Sequence, residues 1–427
     1  MRFLVRRLAL TLFFTVLMMC VSSASVLIGR QSRAPIVAVL LFDIRPEQLV
    51  YDLIDIDHGL ASRRALTIPG SSYSRIRFDV QPPLVLQALP VGESLDWTLN
   101  QLDLMHAALT PILRMSALAS PPVAIGTVQQ SGGSVSIYAP RDRLVYRSSL
   151  ADPQATVVAT APQDVQSVVW SPDWSRLVLS AIRSVTLVYM DGAQPVTLPP
   201  LGDVRMSPAW SPDGRYIVFS PQTSILNYPI PVLNADTAAV IVTKAGRAPY
   251  WCADRLVYTT DRGGGMLEVR LTDAALDADQ VILTRDLSAA RPSERTLAAR
   301  PLDKASCDWF MVSTFGGDTW LLHRESGMLH ELGTGLVGLL DVAPDSFIYW
   351  SEAGRNTEIR RFTLDPSAPR SDLLLTLDGR GATITRLEEG RGWIVLQATS
   401  ELLHVDQDSG EGTLLTDTMV RAYSVLP

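Results

Sequence analysis

Residues 170–220 state one pattern twice. Trp170-Ser171-Pro172-Asp173-Trp174-Ser175-Arg176-Leu177-Val178-Leu179-Ser180 returns as Trp210-Ser211-Pro212-Asp213-Gly214-Arg215-Tyr216-Ile217-Val218-Phe219-Ser220, without a gap, at an offset of 40 residues. Each copy is a Ser-Pro-Asp turn leading into a short apolar run. Proline presets one backbone angle of such a turn, and aspartate caps it through its side chain. Gly214 permits a positive φ that Trp174 adopts only at a cost, so the two turns are expected to differ in shape. A unit of this length holds about four short strands, too little to bury a core alone.

Worn copies extend the period. Tyr250-Trp251-Cys252-Ala253-Asp254 places a third tryptophan 41 residues beyond Trp210, and Ala343-Pro344-Asp345 restores the turn before Phe347-Ile348-Tyr349-Trp350. Asp142-Arg143-Leu144-Val145-Tyr146 recurs identically as Asp254-Arg255-Leu256-Val257-Tyr258. Stacking such sheets face to face buries both faces of each, and closing the ring protects the terminal units. The pattern therefore predicts an all-β chain: a single β-propeller of about eight four-stranded blades over residues 35–427. Dividing the body by periods of 40 to 49 gives eight or nine units, eight if residues 71–135 form one decorated blade; seven is the other alternative. Residues 95–115 read as strands or as a helix, since their leucines recur at mixed spacing. The strand-like 419–425 is expected to join the first unit, which lacks an inner strand, and close the ring. The inter-strand tryptophans are expected to pack between blades.

The Trp-Ser-Pro-Asp-Gly-Arg-Tyr-Ile-Val-Phe-Ser string at 210–220 resembles the WD-like repeat of TolB-type propellers. Asp55-Ile56-Asp57-His58-Gly59 followed by Arg63-Arg64-Ala65-Leu66-Thr67 is similar to that family's outer hairpin. The resemblance implies the fold; it is weak for function, because such repeats serve scaffolds, peptidase-associated domains and carbohydrate-active proteins alike. Between residue 34 and the first hairpin there is no room for the amino-terminal α/β domain of TolB, so a Tol–Pal role is not implied.

The amino terminus has its own logic. Arg2, Arg6 and Arg7 precede an uncharged apolar run from 8 to 28. Twenty-one helical residues span about 31 Å, close to the hydrocarbon core of a bilayer. The flanking arginines keep the start of the chain cytoplasmic and send the rest across. Residues 1–34 are thus expected to be one hydrophobic helix, a signal anchor or a signal peptide cleaved after Ser22-Ser23-Ala24. Either way the body is expected outside the cytoplasm, held at the cell membrane by a single pass or, after signal cleavage, secreted or periplasmic. Residues 35–427 carry 32 basic against 44 acidic side chains, a poor surface for a polyanion, so nucleic acid is not expected as a partner. Cys252 and Cys307 occupy comparable places in successive repeats. Adjacent blades could pair them in an oxidising compartment, or they are two small buried hydrophobes.

No residue pattern declares chemistry. A Gly-x-Ser-x-Gly elbow is missing, and the five histidines show no metal-binding spacing. Asp52, Asp55 and Asp57 alternate along one strand, but Asp55-x-Asp57-x-Gly59 is not a full calcium loop, and a solvated strand face accounts for it. Ser313-Thr314-Phe315-Gly316-Gly317-Asp318-Thr319-Trp320 approaches an Asp-box with Phe315 where the aspartate belongs. His323 and His330 flank a hairpin turn at Ser326-Gly327. No catalytic, cofactor-binding or metal residue is assigned and no cofactor is expected. The sequence reads as an extracytoplasmic, membrane-tethered platform for a protein or other ligand in the envelope or on the cell surface. The alternative is a glycosidase- or lyase-type enzyme whose acids and arginines converge at the channel mouth.

Overall fold

The computed structural model describes residues between 36 and 426, leaving out 1–35, residue 427 and connecting stretches such as 42–47, 70–74, 78–83, 116–122, 129–133, 150–155 and 222–226. The hydrophobic helix expected over the first 34 residues lies outside the described residues. Among those described, the helical structure is a single 3-10 turn at Gly59–Ser62, and no helix is long and apolar enough to cross a membrane.

The rest is antiparallel sheet in nine four-stranded units. Unit 1 pairs Val420–Leu426 with Ile36–Leu41, then Gln48–Asp55 and Arg64–Pro69. Unit 2 is Arg75–Arg77, Leu84–Val91, Ser94–Asp103 and Ala108–Met115; unit 3 is Val123–Val128, Ser134–Ala139, Leu144–Ser149 and Thr156–Thr160. Unit 4 is Val165–Trp170, Arg176–Ala181, Val185–Tyr189 and Val196–Leu198. Units 5 and 6 share the long strand Ala239–Cys252. Its first half pairs with Tyr228–Asn234 and ends unit 5; its second half pairs with Arg255–Asp261 and begins unit 6. Met206–Trp210 and Tyr216–Pro221 complete unit 5, and Met266–Asp273 and Gln280–Asp286 complete unit 6. Unit 7 is Leu297–Pro301, Trp309–Thr314, Thr319–His323 and Leu329–Gly333; unit 8 is Val337–Val342, Ser346–Ala353, Asn356–Thr363 and Arg370–Asp378. Unit 9 is Thr383–Arg386, Trp393–Leu396, Leu402–Val405 and Gly412–Leu414.

Among the described residues the count is nine, the upper of the alternatives that the period allowed. Residues 71–135 do not form one decorated blade. They hold all of unit 2 and the opening of unit 3, and the stretch 95–115 is two strands of unit 2 rather than a helix.

From unit 3 to unit 7, and again between units 8 and 9, neighbouring units approach through their first strands, which converge. Leu329–Gly333 of unit 7 instead approaches Ser346–Ala353 of unit 8, and Arg64–Pro69 of unit 1 approaches Leu84–Val91 of unit 2. Buried clusters fill the seams. Trp170, Trp174 and Leu177 of unit 4 pack on Tyr138 and Val145 of unit 3. Phe219 and Leu233 of unit 5 meet Val178 and Leu187 of unit 4. Ile394, Leu402 and Leu415 of unit 9 close on Ile54 and Ile56 of unit 1. The arrangement of open, four-stranded antiparallel sheets packed face to face in chain order supports a β-propeller. Strand 420–426 runs antiparallel to 36–41, with Ile36 opposite Leu426 and Leu41 opposite Val420, so the two ends of the described chain meet in one sheet.

Candidate functional site

Hydrogen bonds repeat along with the strands. Trp251 Nε1 donates to the Ala209 carbonyl at 3.0 Å and Trp210 Nε1 to the Val169 carbonyl at 3.2 Å. Each indole thereby ties the end of its own first strand to the first strand of the preceding unit. Trp170 Nε1 makes no such bond; its ring stacks on Trp174 instead, with centroids 4.8 Å apart. A second tie runs the other way. Ser180 Oγ donates to the Met206 carbonyl at 3.2 Å and Thr259 Oγ1 to the Leu297 carbonyl at 2.9 Å, each reaching the next unit's first strand. The tryptophans of the repeat therefore work between units, and the turns cap strands within them.

The two Ser-Pro-Asp turns have one shape, contrary to expectation. Trp174 sits at φ 59 and Gly214 at φ 71, both left-handed. In each turn the serine hydroxyl donates to the aspartate at 2.6 Å and receives the backbone N–H of Arg176 or Tyr216. Burial would raise the Asp173 carboxyl, but hydrogen bonds from Ser171 and Ser175 outweigh it and hold it below the usual range. Trp174 accepts the strained backbone because its ring gains a buried stack on Trp170, with the Arg147 guanidinium over both rings at 5.7 and 5.8 Å.

The acidic candidates near the first hairpin separate. Asp52 is buried and held by Arg63 Nε at 2.6 Å, so it is not part of a solvated face. Asp55 meets His58 Nδ1 at 3.2 Å, and Asp57 reaches across to Arg391 of unit 9 at 3.2 Å. Among the described residues no group of three or more His, Cys, Asp and Glu could hold a metal. His323 turns back on Ser326 Oγ at 2.9 Å beside Gly327 at φ 66, and His330 sets its ring edge on Phe362. Both histidines are hairpin and packing residues. The Asp-box-like string is likewise a turn, with Thr314 N–H bonded to the Asp318 carbonyl at 3.0 Å and Gly317 at φ 96.

Sequence reasoning missed a charged cluster in unit 6. Glu268 is buried between Arg270 Nε at 3.0 Å and Arg262 Nη1 at 3.1 Å. Arg270 Nη1 also holds Asp279 at 2.6 Å, and Tyr258 donates its hydroxyl to the same carboxylate at 3.0 Å. Burial, reinforced by Asp279, pushes the Tyr258 phenol up to about 12. Unit 8 repeats the device. Tyr349 lies opposite Arg360 as Tyr258 lies opposite Arg270, and Arg360 Nη2 pairs with Glu358 at 2.8 Å. The signal was legible: Glu-Val-Arg at 268–270 and Glu-Ile-Arg at 358–360. The same pairing recurs at one register in the two units, tying neighbouring strands of each sheet together.

Cys252, ending the first strand of unit 6, and Cys307, just before the second strand of unit 7, are joined in a disulfide with Cα atoms 5.4 Å apart. The reading of two unlinked hydrophobes is corrected, because the period that aligns the two positions also sets them across one seam. On the converging strands the exposed side chains are Gln166, Ala209, Arg300, Leu339 and Val342, and Asp341, half-buried, is the one carboxylate there among the described residues. Fourth strands carry exposed Val157, Val240, Val281, Leu373 and Leu414.

No family model and no curated protein sequence matches the chain. Solved structures do. BamB from Moraxella catarrhalis aligns at 13% identity over 80% of this chain and 97% of that one, with a TM-score of 0.41. TolB from Acinetobacter baumannii aligns at 13% identity over 67% and 78%, with a TM-score of 0.30. An oligogalacturonate lyase in complex with manganese aligns at 10% identity over 81% and 96%, with a TM-score of 0.39. Likeness at this level transfers no function, and the fold rests on the strand order and seams.

Proposed function

We propose that this chain is a non-enzymatic, extracytoplasmic β-propeller of residues 35–427, tethered by its amino-terminal apolar segment and closed by strand 420–426. It acts as a platform for a protein partner in the envelope or on the cell surface. The observation that carries the reading is the outer rim. Four units place apolar side chains in solvent (Val157, Val281, Leu373 and Leu414) on fourth strands that end their sheets, which is where an added strand gains both backbone bonds and side-chain contacts. Three further features support it. Glu268, Arg270 and Asp279 of unit 6, and Glu358 and Arg360 of unit 8, are spent on one another. The converging strands present mixed apolar and polar side chains rather than clustered acids. The Cys252–Cys307 bond suits an oxidising compartment.

The test is recovery of tagged protein from solubilised membranes after cross-linking. The expected result is a reproducible protein partner, lost when Val157, Val281 and Leu373 are changed together to glutamate in a variant that still melts like the parent. Consistent recovery of the chain alone would overturn the reading.

A further inference from the structure

We infer that the seam between units 6 and 7 binds a small oxyanion, a carboxylate or phosphate group, at Arg247. Arg247 opens the second half of strand Ala239–Cys252 and lies opposite Thr259. Cross-strand partners share a sheet face, and Thr259 Oγ1 reaches the Leu297 carbonyl of unit 7. Arg247 therefore points into this seam. Its Nε and Nη1 are fully buried and have no hydrogen-bond partner. A buried guanidinium without a counter-charge is costly to maintain, and native chains rarely keep one without a use.

Two independent features point the same way. The pairing register slips between Arg247 and Tyr250, and Ala248 within that bulge is held at φ 47. Bulges re-aim side chains and concentrate beside binding sites, and a left-handed alanine is strained. Among the described residues the other arginines of the seam show no paired carboxylate either. Arg300 lies 5.3 Å over the Tyr250 ring and Arg285 lies 4.4 Å over the Trp320 ring. Aromatic faces leave guanidinium N–H donors unused, so a bound oxyanion would find Arg247 as its principal ligand and Arg300 as a second cation. In a protein with an acidic body, a seam whose three arginines meet no carboxylate among the described residues is a local inversion of charge. The Cys252–Cys307 bond fixes the spacing of its two walls. The burial that lowers the Arg247 pKa is the same desolvation that an anion would offset.

The full chain is titrated with inorganic phosphate and with citrate, against sodium chloride at matched ionic strength, reading melting temperature and calorimetric Kd. The expected result is a rise in melting temperature with at least one oxyanion but not with chloride. Arg247→Met should weaken Kd about tenfold or more, and Arg247→Lys should fall between. Without oxyanion, Arg247→Met should melt at or above the parent, because the variant no longer buries an unpaired charge. Three results would overturn the inference: no oxyanion effect beyond chloride, an unchanged response in Arg247→Met, or an Arg247→Met chain that melts well below the parent in chloride.

Discussion

Trp174 shows how one side chain can reverse a backbone preference. Its φ of 59 belongs to glycine's territory, yet the stacked, buried indole holds it there. Trp174→Ala should lose that stack, leave a cavity and keep the strain, at a cost of about 3–5 kcal/mol. Trp174→Gly should lose the same contacts but relax the backbone, and so be the more stable of the two by about 1 kcal/mol. Urea unfolding of both variants decides; an alanine variant as stable as the glycine one would contradict the strained turn. Tyr258 carries the second residue-scale prediction. Its folded pKa is raised from 10 to about 12, chiefly by burial and then by Asp279. An unfolded tyrosine gives up its proton near pH 10, so the folded state binds more protons between pH 10 and 12. The stabilisation is fully present below pH 10 and falls by about 2–3 kcal/mol as pH rises through 12. Tyr258→Phe should flatten that part of the stability profile; an equally steep decline in the variant would place its cause elsewhere.

At the scale of strands and turns, the disulfide is the clearest device. It closes a loop of 55 residues between the first strand of unit 6 and the approach to the second strand of unit 7. Restricting the unfolded chain in this way contributes about 4 kcal/mol in the loop-entropy account. The Cys252→Ala, Cys307→Ala double variant should therefore unfold at distinctly lower urea than the oxidised parent, and the parent in reductant should move toward the variant. Coincident midpoints would remove the bond from the stability account. Elements also show what a single sequence tells and withholds. The tryptophan period located units 4, 5 and 6 to the residue, because Ser171, Asp173, Ser211 and Asp213 make local bonds that local sequence specifies. Unit 2 was opaque: its leucines fall at mixed spacing, and the pairing of Leu84–Val91 with Ser94–Asp103 is settled by neighbours rather than by period. Asp52 looked like a surface acid because its partner Arg63 lies beyond the turn that brings it back. The Arg247 seam was invisible for a similar reason. An unpaired charge is defined by what surrounds it, and Leu297, Arg300 and Tyr250 converge there only after folding.

Across the whole molecule, the proposed ring makes stability depend on neighbours more than on any one unit. Each sheet is too small to stand alone, and the seams from unit 3 round to unit 1 share buried residues between two units. The junction of units 9 and 1 is closed by Ile54 and Ile56 against Leu402 and Leu415, and by the Arg391–Asp57 pair. Strand 420–426 pairs six of its seven residues along 36–41, which would otherwise be an open edge. The account therefore stands on closure of the ring by the carboxy-terminal strand. The direct measurement is the melting temperature of the full chain against a chain lacking residues 418–427. Closure predicts a loss of about 5 °C or more together with a broader transition, as the exposed first sheet frays ahead of the rest. An unchanged, equally sharp transition would contradict it.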